Sequence, residues 1–142
     1  MQIFIASPWK NKALVERLTQ GLTERGYGVY SFLQSGDNLL TGISIEDELV
    51  MFHEAMRDWD HDPRIRKIFE TELAGLKASD AVILIEPSGH SSLLETGIGY
   101  GMGKKVFAVG PIAKPEVFYL ACEQIYPTID AFLGDVKNVL PL

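Results

Sequence analysis

The sequence predicts a doubly wound α/β fold, a parallel sheet of five strands in the order 2-1-3-4-5 with helices on both faces. Two observations predict it. Short apolar runs alternate with helix-periodic stretches along the chain. In addition, Ser79 to Gly110 (SDAVILIEPSGHSSLLETGIGYGMGKKVFAVG) reads as strand, polar loop, Gly-rich helix and strand. The size agrees, since 142 residues, 46% of them apolar, suit one domain with its own core.

Taken in order, Ile3 to Ala6 reads as strand 1. Asn11 to Arg25 follows as a helix with Leu14, Leu18 and Leu22 on one face, ending near Gly26. Val29 to Phe32 is strand 2. Ile45, Leu49, Phe52 and Met56 then make a helical stripe behind a Ser44 cap with Asp47 three residues on. Pro63 opens a third helix running to Ala78, and Ala81 to Ile85 and Val106 to Val109 are strands 3 and 4. Lys114 to Ala121 is expected as a short helix, Gln124 to Tyr126 as the last strand and Ile129 to Val139 as the closing helix. No internal repeat or low-complexity segment interrupts this pattern, which is the flavodoxin-like form of a Rossmann-type sheet.

Composition narrows the function. The formal net charge is −6, yet residues 34 to 62 alone carry eight acids (Asp37, Glu46, Asp47, Glu48, Glu54, Asp58, Asp60, Asp62) against Arg57, a local −7 that leaves the remainder near +1. A nucleic acid polymer is thereby disfavoured, because its affinity comes from basic groups on phosphates. A single nucleotide held by backbone amides is compatible. This acidic stretch is expected as a lid over a site within one domain of residues 1 to 142. No apolar run approaches the roughly 20 residues needed to span a bilayer, and the N-terminus opens on MQIFIAS with no cleavage pattern. The single Cys122 excludes an internal disulfide and any multi-cysteine metal site, so a cytoplasmic protein is expected.

Two carboxylates stand out. Glu95 lies one turn into the helix after strand 3, where parallel sheets bind ligands and helix N–H groups meet anions. Ser92 to Glu95 also reads as S-x-x-E, a capping box that would make Glu95 a helix-start device. Glu72 shares an apolar stripe with Ile65, Ile68, Phe69 and Leu76, and a carboxylate on such a stripe is costly unless paired or hydrogen-bonded. It reads either as half of a catalytic pair or as a side chain reaching water from a helix edge.

The glycines at 97, 99, 101 and 103 each cost a helix about 1 kcal/mol relative to alanine. Tight helix–sheet packing is the expectation for Gly101 and Gly103, and Gly97 is open between packing and ligand contact. Ser88, Gly89, His90, Ser91 and Ser92 suit a phosphate cradle or a solvated loop, and neither a Walker loop nor G-x-G-x-x-G is present. Trp9 and Trp59 suit base stacking or packing. Lys10 and Lys12, beside strand 1, suit a phosphate or solvent. His53, Asp58, Asp60 and His61 are read as an acidic helix end rather than a metal site.

On these residues the chain resembles the nucleoside 2-deoxyribosyltransferase family and its relatives, the nucleoside 5'-monophosphate N-glycosidases. The resemblance rests on Ile3 to Trp9 (IFIASPW), Glu72 to Ile85 (ELAGLKASDAVILI) and Leu94 to Lys105 (LETGIGYGMGKK), together about half the chain. It implies that Glu95 is the nucleophile. It also implies that Glu72, eight residues before Asp80, stands where the family has a second acid, usually Asp. Phe4 stands where members commonly have Tyr, so the hydroxyl near the nucleophile and the sugar 2'-position is absent and a ribose is expected to fit. Gly89 replaces the Asp that the transferases carry six residues before the nucleophile. The PSGHSS loop is closer to the nucleotide-hydrolysing relatives, which implies a nucleotide rather than a free nucleoside.

The chemistry implied is cleavage of an N-glycosidic bond. A carboxylate under the anomeric carbon stabilises an oxocarbenium-like sugar or forms a covalent glycosyl-enzyme. Water as acceptor gives hydrolysis, and another base gives transfer. Ser7, Pro8, Trp9, Ser88, Gly89, His90, Ser91 and Gly97, with Phe4, are the expected substrate-binding residues, without metal or cofactor. Two alternatives stand beside this: a non-catalytic nucleotide-sensing domain, favoured by Phe4 and Glu72, and an NAD-cleaving domain, which needs an open dinucleotide groove. Relatives build each site with a neighbouring subunit, which implies a homodimer or larger homo-oligomer. Leu49, Phe52, Met56, Leu94 and Ile98 are the candidate interface, or core.

Overall fold

Each apolar run becomes a strand, and the five lie parallel in the order β2-β1-β3-β4-β5. The computed structural model describes residues 1–33 and 45–142. The strands are β1 (Gln2–Ala6), β2 (Gly28–Tyr30), β3 (Ala81–Ile85), β4 (Lys105–Val109) and β5 (Gln124–Tyr126). The helices are α1 (Lys12–Thr23), α2 (Ile45–Ala55), α3 (Pro63–Ala78), α4 (His90–Gly101) and α5 (Ile129–Val139). Ser44 lies outside the described residues.

Strand side chains alternate between faces, so each run splits into two half-cores. Ile3, Ile5, Ile83, Ile85, Phe107 and Val109 join Leu18 and Leu22 of α1 and Phe132, Leu133 and Val136 of α5. Phe4, Ala6, Val82, Leu84, Val106 and Ala108 face the other way and meet Leu76 of α3. The α1 stripe differs from expectation: Val15, Leu18 and Leu22 are buried while Leu14 is exposed. The i, i+3, i+7 line faces the sheet, and the leucine spacing of four drifts off it.

Three other expectations need correction. Strand 2 ends at Tyr30, and Phe32 instead stacks on Trp9. The stretch Lys114 to Ala121 forms only a 3-10 turn at Val117–Ala121, with Val117, Phe118 and Leu120 exposed to water, so no apolar stripe stabilises a longer helix. Leu49 and Phe52 of α2 are half-buried and Ala55 is buried, whereas Met56 lies beyond the helix in a 3-10 turn and is exposed.

Helix ends are set by local chemistry. Asp62 caps α3 by accepting from the Arg64 N–H, with Pro63 in the first turn. Helix α4 starts at His90, with the Ser92 hydroxyl accepting from the Gly89 N–H at 2.8 Å. Ser92 is therefore the third residue of the cap, and the S-x-x-E capping box is not formed. Gly103, at φ 76°, closes α4: its N–H bonds Tyr100 O at 2.9 Å and the Lys104 N–H bonds Gly99 O at 3.1 Å. The Lys104 ammonium then reaches the Lys77 and Ser79 carbonyls, joining the far ends of α3 and α4.

Candidate active site

Helices α3 and α4 lie on the same sheet face and bring Glu72 and Glu95 together electrostatically. Both side chains are partly buried. Loss of solvent pushes the Glu72 carboxyl up to about 7. Loss of solvent, together with the Glu72 charge, pushes Glu95 up to about 8. Burial of both, and the charge of one on the other, disfavour two bare carboxylates side by side, so the pair titrates as a coupled unit. Such a pair offers an acid and a nucleophile within one site.

The glycines explain how α4 sits. A Cβ on Gly99 would lie 2.6 Å from the Val82 side chain, so this glycine lets the helix settle on β3. Gly97, Gly101 and Gly103 meet nothing within 4 Å among the described residues. The packing expectation therefore fails for Gly101 and Gly103, whose faces are open. Gly103 is required instead by its positive φ.

Two loops meet beyond the strand ends. Asn11, buried although polar, donates from Nδ2 to Pro87 O at 2.9 Å and to Ser7 Oγ at 3.2 Å, tying the turn after β1 to the loop after β3. The Ser7 hydroxyl in turn donates to Pro8 O at 3.3 Å, and Gly89 lies against Pro8. Trp9 stacks on Phe32 with ring centroids 4.5 Å apart. Ser7, Pro8, Trp9 and the 88–91 loop thus share one rim.

Within that loop the donors are unequally committed. The Ser88 N–H and hydroxyl donate to Glu86 at 2.7 and 3.1 Å, and the Gly89 N–H is taken by Ser92. His90 and Ser91 are exposed, and their N–H groups lie in the first turn of α4, where a helix has no internal acceptor. Glu86 also accepts from Tyr119, and it is buried at the end of β3. Glu86 and Asn11 escaped the sequence reading. A carboxylate ending an apolar run at I-E-P was the available signal for the first, and Asn11 had none.

Phe4 is almost wholly buried, at 1% exposure, and its ring stacks on Tyr30 of β2 at 5.3 Å. Among the other candidates, Asp58, Asp60 and His61 lie within 4.8 Å of one another, all exposed, while His53 bonds Leu49 O. Trp59 and Phe69 line a cavity of about 360 Å³ with Asp60, His61, Asp62, Ile65 and Arg66, toward the N-terminal end of α3. Lys10 is exposed, and Lys12 is half-buried beside Glu16.

The five-stranded parallel sheet in the order β2-β1-β3-β4-β5, with helices on both faces, is a doubly wound α/β fold consistent with that of the nucleoside deoxyribosyltransferases. Comparison with solved structures agrees. A 2-deoxyribosyltransferase from Bacillus psychrosaccharolyticus superposes with a TM-score of 0.64 at 18% identity, covering 97% of this chain and 91% of that one. The Clostridium botulinum CMP N-glycosidase BcmB superposes with a TM-score of 0.51 at 17% identity, covering 96% and 99%. No family model matches the sequence. No curated protein matches it either. No helix among the described residues is long and apolar enough to cross a membrane.

Proposed function

We propose that the protein cleaves the N-glycosidic bond of a nucleoside 5'-monophosphate, or transfers its sugar to another base. The observation that carries this reading is the partly buried Glu72–Glu95 pair, whose carboxyls are both raised well above the ordinary carboxylate range by burial. The reactive form has Glu95 ionised and the proton on Glu72, the reverse of the order in which burial raises the two carboxyls, so the proton must pass to Glu72 before reaction. The Glu95 carboxylate bonds the anomeric carbon as the bond to the base breaks, and the leaving nitrogen takes its proton from Glu72. Water, deprotonated by the Glu72 carboxylate, then hydrolyses the glycosyl ester; a second base in its place gives transfer. The amides of His90 and Ser91 suit a 5'-phosphate, with Ser7, Pro8, Trp9, Ser88, Gly89 and Gly97 around the substrate. Similarity to a deoxyribosyltransferase and a CMP N-glycosidase supports the reaction class.

The test is incubation with purine and pyrimidine nucleoside monophosphates, with free base measured by chromatography. Base should appear with wild type and fall at least ~10³-fold in Glu95→Gln, which keeps the volume and loses the nucleophile. Activity near wild type in the variant would remove this assignment. Nucleotide binding with no base released by wild type would favour the sensing-domain reading, which the buried, hydroxyl-free Phe4 supports.

The assembly is part of the same proposal. Leu94 (68% exposed) and Ile98 (39%) present an apolar face of α4 beside the open Gly97 and Gly101. A homodimer or larger symmetric oligomer would cover it. Light scattering that returns the 15.8 kDa monomer at all micromolar concentrations would defeat this.

A further inference from the structure

Tyr30 was not among the residues the sequence singled out, yet it stands at the centre of the site. Parallel pairing sets Tyr30 directly beside Phe4, and the two rings stack with planes 13° apart. The other side of the phenol meets α3 at Gly75, where a Cβ would lie 2.5 Å from the ring carbon that bears the hydroxyl. Only a residue without a side chain admits the ring there. This wedge fixes the ring and aims its hydroxyl along α3. The hydroxyl donates to Thr71 O at 3.3 Å, beyond the ordinary range for an O–H donor, so it is weakly engaged. Burial first, and then the charges of Glu72 on α3 and Glu95 on α4, together raise the phenol pKa to about 12. Among the described residues these two carboxylates are the charged groups that it senses.

A protonated phenol beside a carboxylate pair has one proton to share. Shared with Glu72, it would oppose that residue's work as acid. Shared with Glu95, it favours the charged nucleophile. We propose that Tyr30 is a positioning residue of the site, turning its hydroxyl from the Thr71 carbonyl to the Glu95 carboxylate, so that Glu95 is held ionised while the shared proton rests on Glu72. No covalent bond changes in this step; one hydrogen bond is exchanged for another. The inference rests on the nucleophile assignment proposed above.

Tyr30→Phe keeps the ring between Phe4 and Gly75 and removes only the hydroxyl. For base release, kcat should fall about 10- to 100-fold with KM changed less than about threefold, and the pH limb for nucleophile ionisation should move up by about one unit. A second measurement needs no substrate: the ¹³Cζ resonance of Tyr30, identified by its loss in Tyr30→Phe, is followed from about pH 5 to 9 across the carboxylate titration. It should titrate in wild type and lose a step in Glu95→Gln. A flat resonance, one unaltered by Glu95→Gln, or a kcat loss without movement of the pH limb would overturn the inference. A wild type that releases no base while the Tyr30 resonance still titrates would instead sink the proposed reaction and leave the coupling standing.

Discussion

On the sheet face covered by α1 and α5, seventeen of the described residues form one buried apolar cluster, whereas the face covered by α3 and α4 buries seven. The first is built from large side chains, with Phe107, Tyr126 and Phe132 in mutual ring contact at 5.2 to 6.4 Å. The second includes two alanines, leans on Gly99 for close approach and borders Glu72 and Glu95. The same strands serve both faces, because alternate residues point in opposite directions. The difference teaches that this fold concentrates its apolar burial on one side of the sheet and leaves its raised carboxylates, where the proposed chemistry would lie, on the other. A carboxylate pair raised by desolvation is tolerable because the opposite face supplies the apolar burial.

The comparison is sharpened most by Phe132, at 0% exposure. Phe132→Ala should cost about 3 to 5 kcal/mol by denaturant unfolding, while the protein still folded keeps its catalytic constants. A loss of about 1 kcal/mol or less would mean that the large cluster is not where stability resides.

Glu95→Gln should act in the opposite sense. Both carboxyls have folded-state values, about 7 and about 8, above the ordinary 4.5, so between those limits the native state holds more protons than the unfolded chain. Stability from the neutral pair is full below pH 4.5 and is lost as pH rises through about 7 and 8. Removing one of the two groups should leave the melting temperature unchanged near pH 5 and raise it near pH 9, by about 1 to 3 kcal/mol of stability. A gain equal at both pH values, or a loss at pH 9, would break the claim that the site face is held against its own charge.

Much of this architecture was legible. Ala81 to Ile85 and Val106 to Val109 announce themselves as strands because a strand buried on both faces is apolar throughout. Glu72 was legible through its place on an apolar stripe, and Glu95 through its place after strand 3. What stayed hidden depends on contacts distant in sequence. Tyr30 enters the site only through its register with Phe4 and the gap at Gly75, 45 residues away. Asn11 acts through Pro87, 76 residues on. The leucine ladder of α1 misled because composition favours Leu14 over Val15, while geometry faces Val15 to the sheet. Gly99 and Gly101 look alike in sequence. Their roles differ because a turn of two residues carries a position from the sheet side of a helix to the solvent side.

Lys104 has a mechanical consequence. Its ammonium rivets the carbonyls of Lys77 and Ser79 at the end of α3 to the backbone that leaves α4, while Glu72 and Glu95 sit farther along the same two helices. The clasp lies at the end of the sheet where β3 and β4 begin, and the two carboxylates lie toward the opposite end. Replacing Lys104 by methionine would untie these two helix ends from one another without altering either carboxylate.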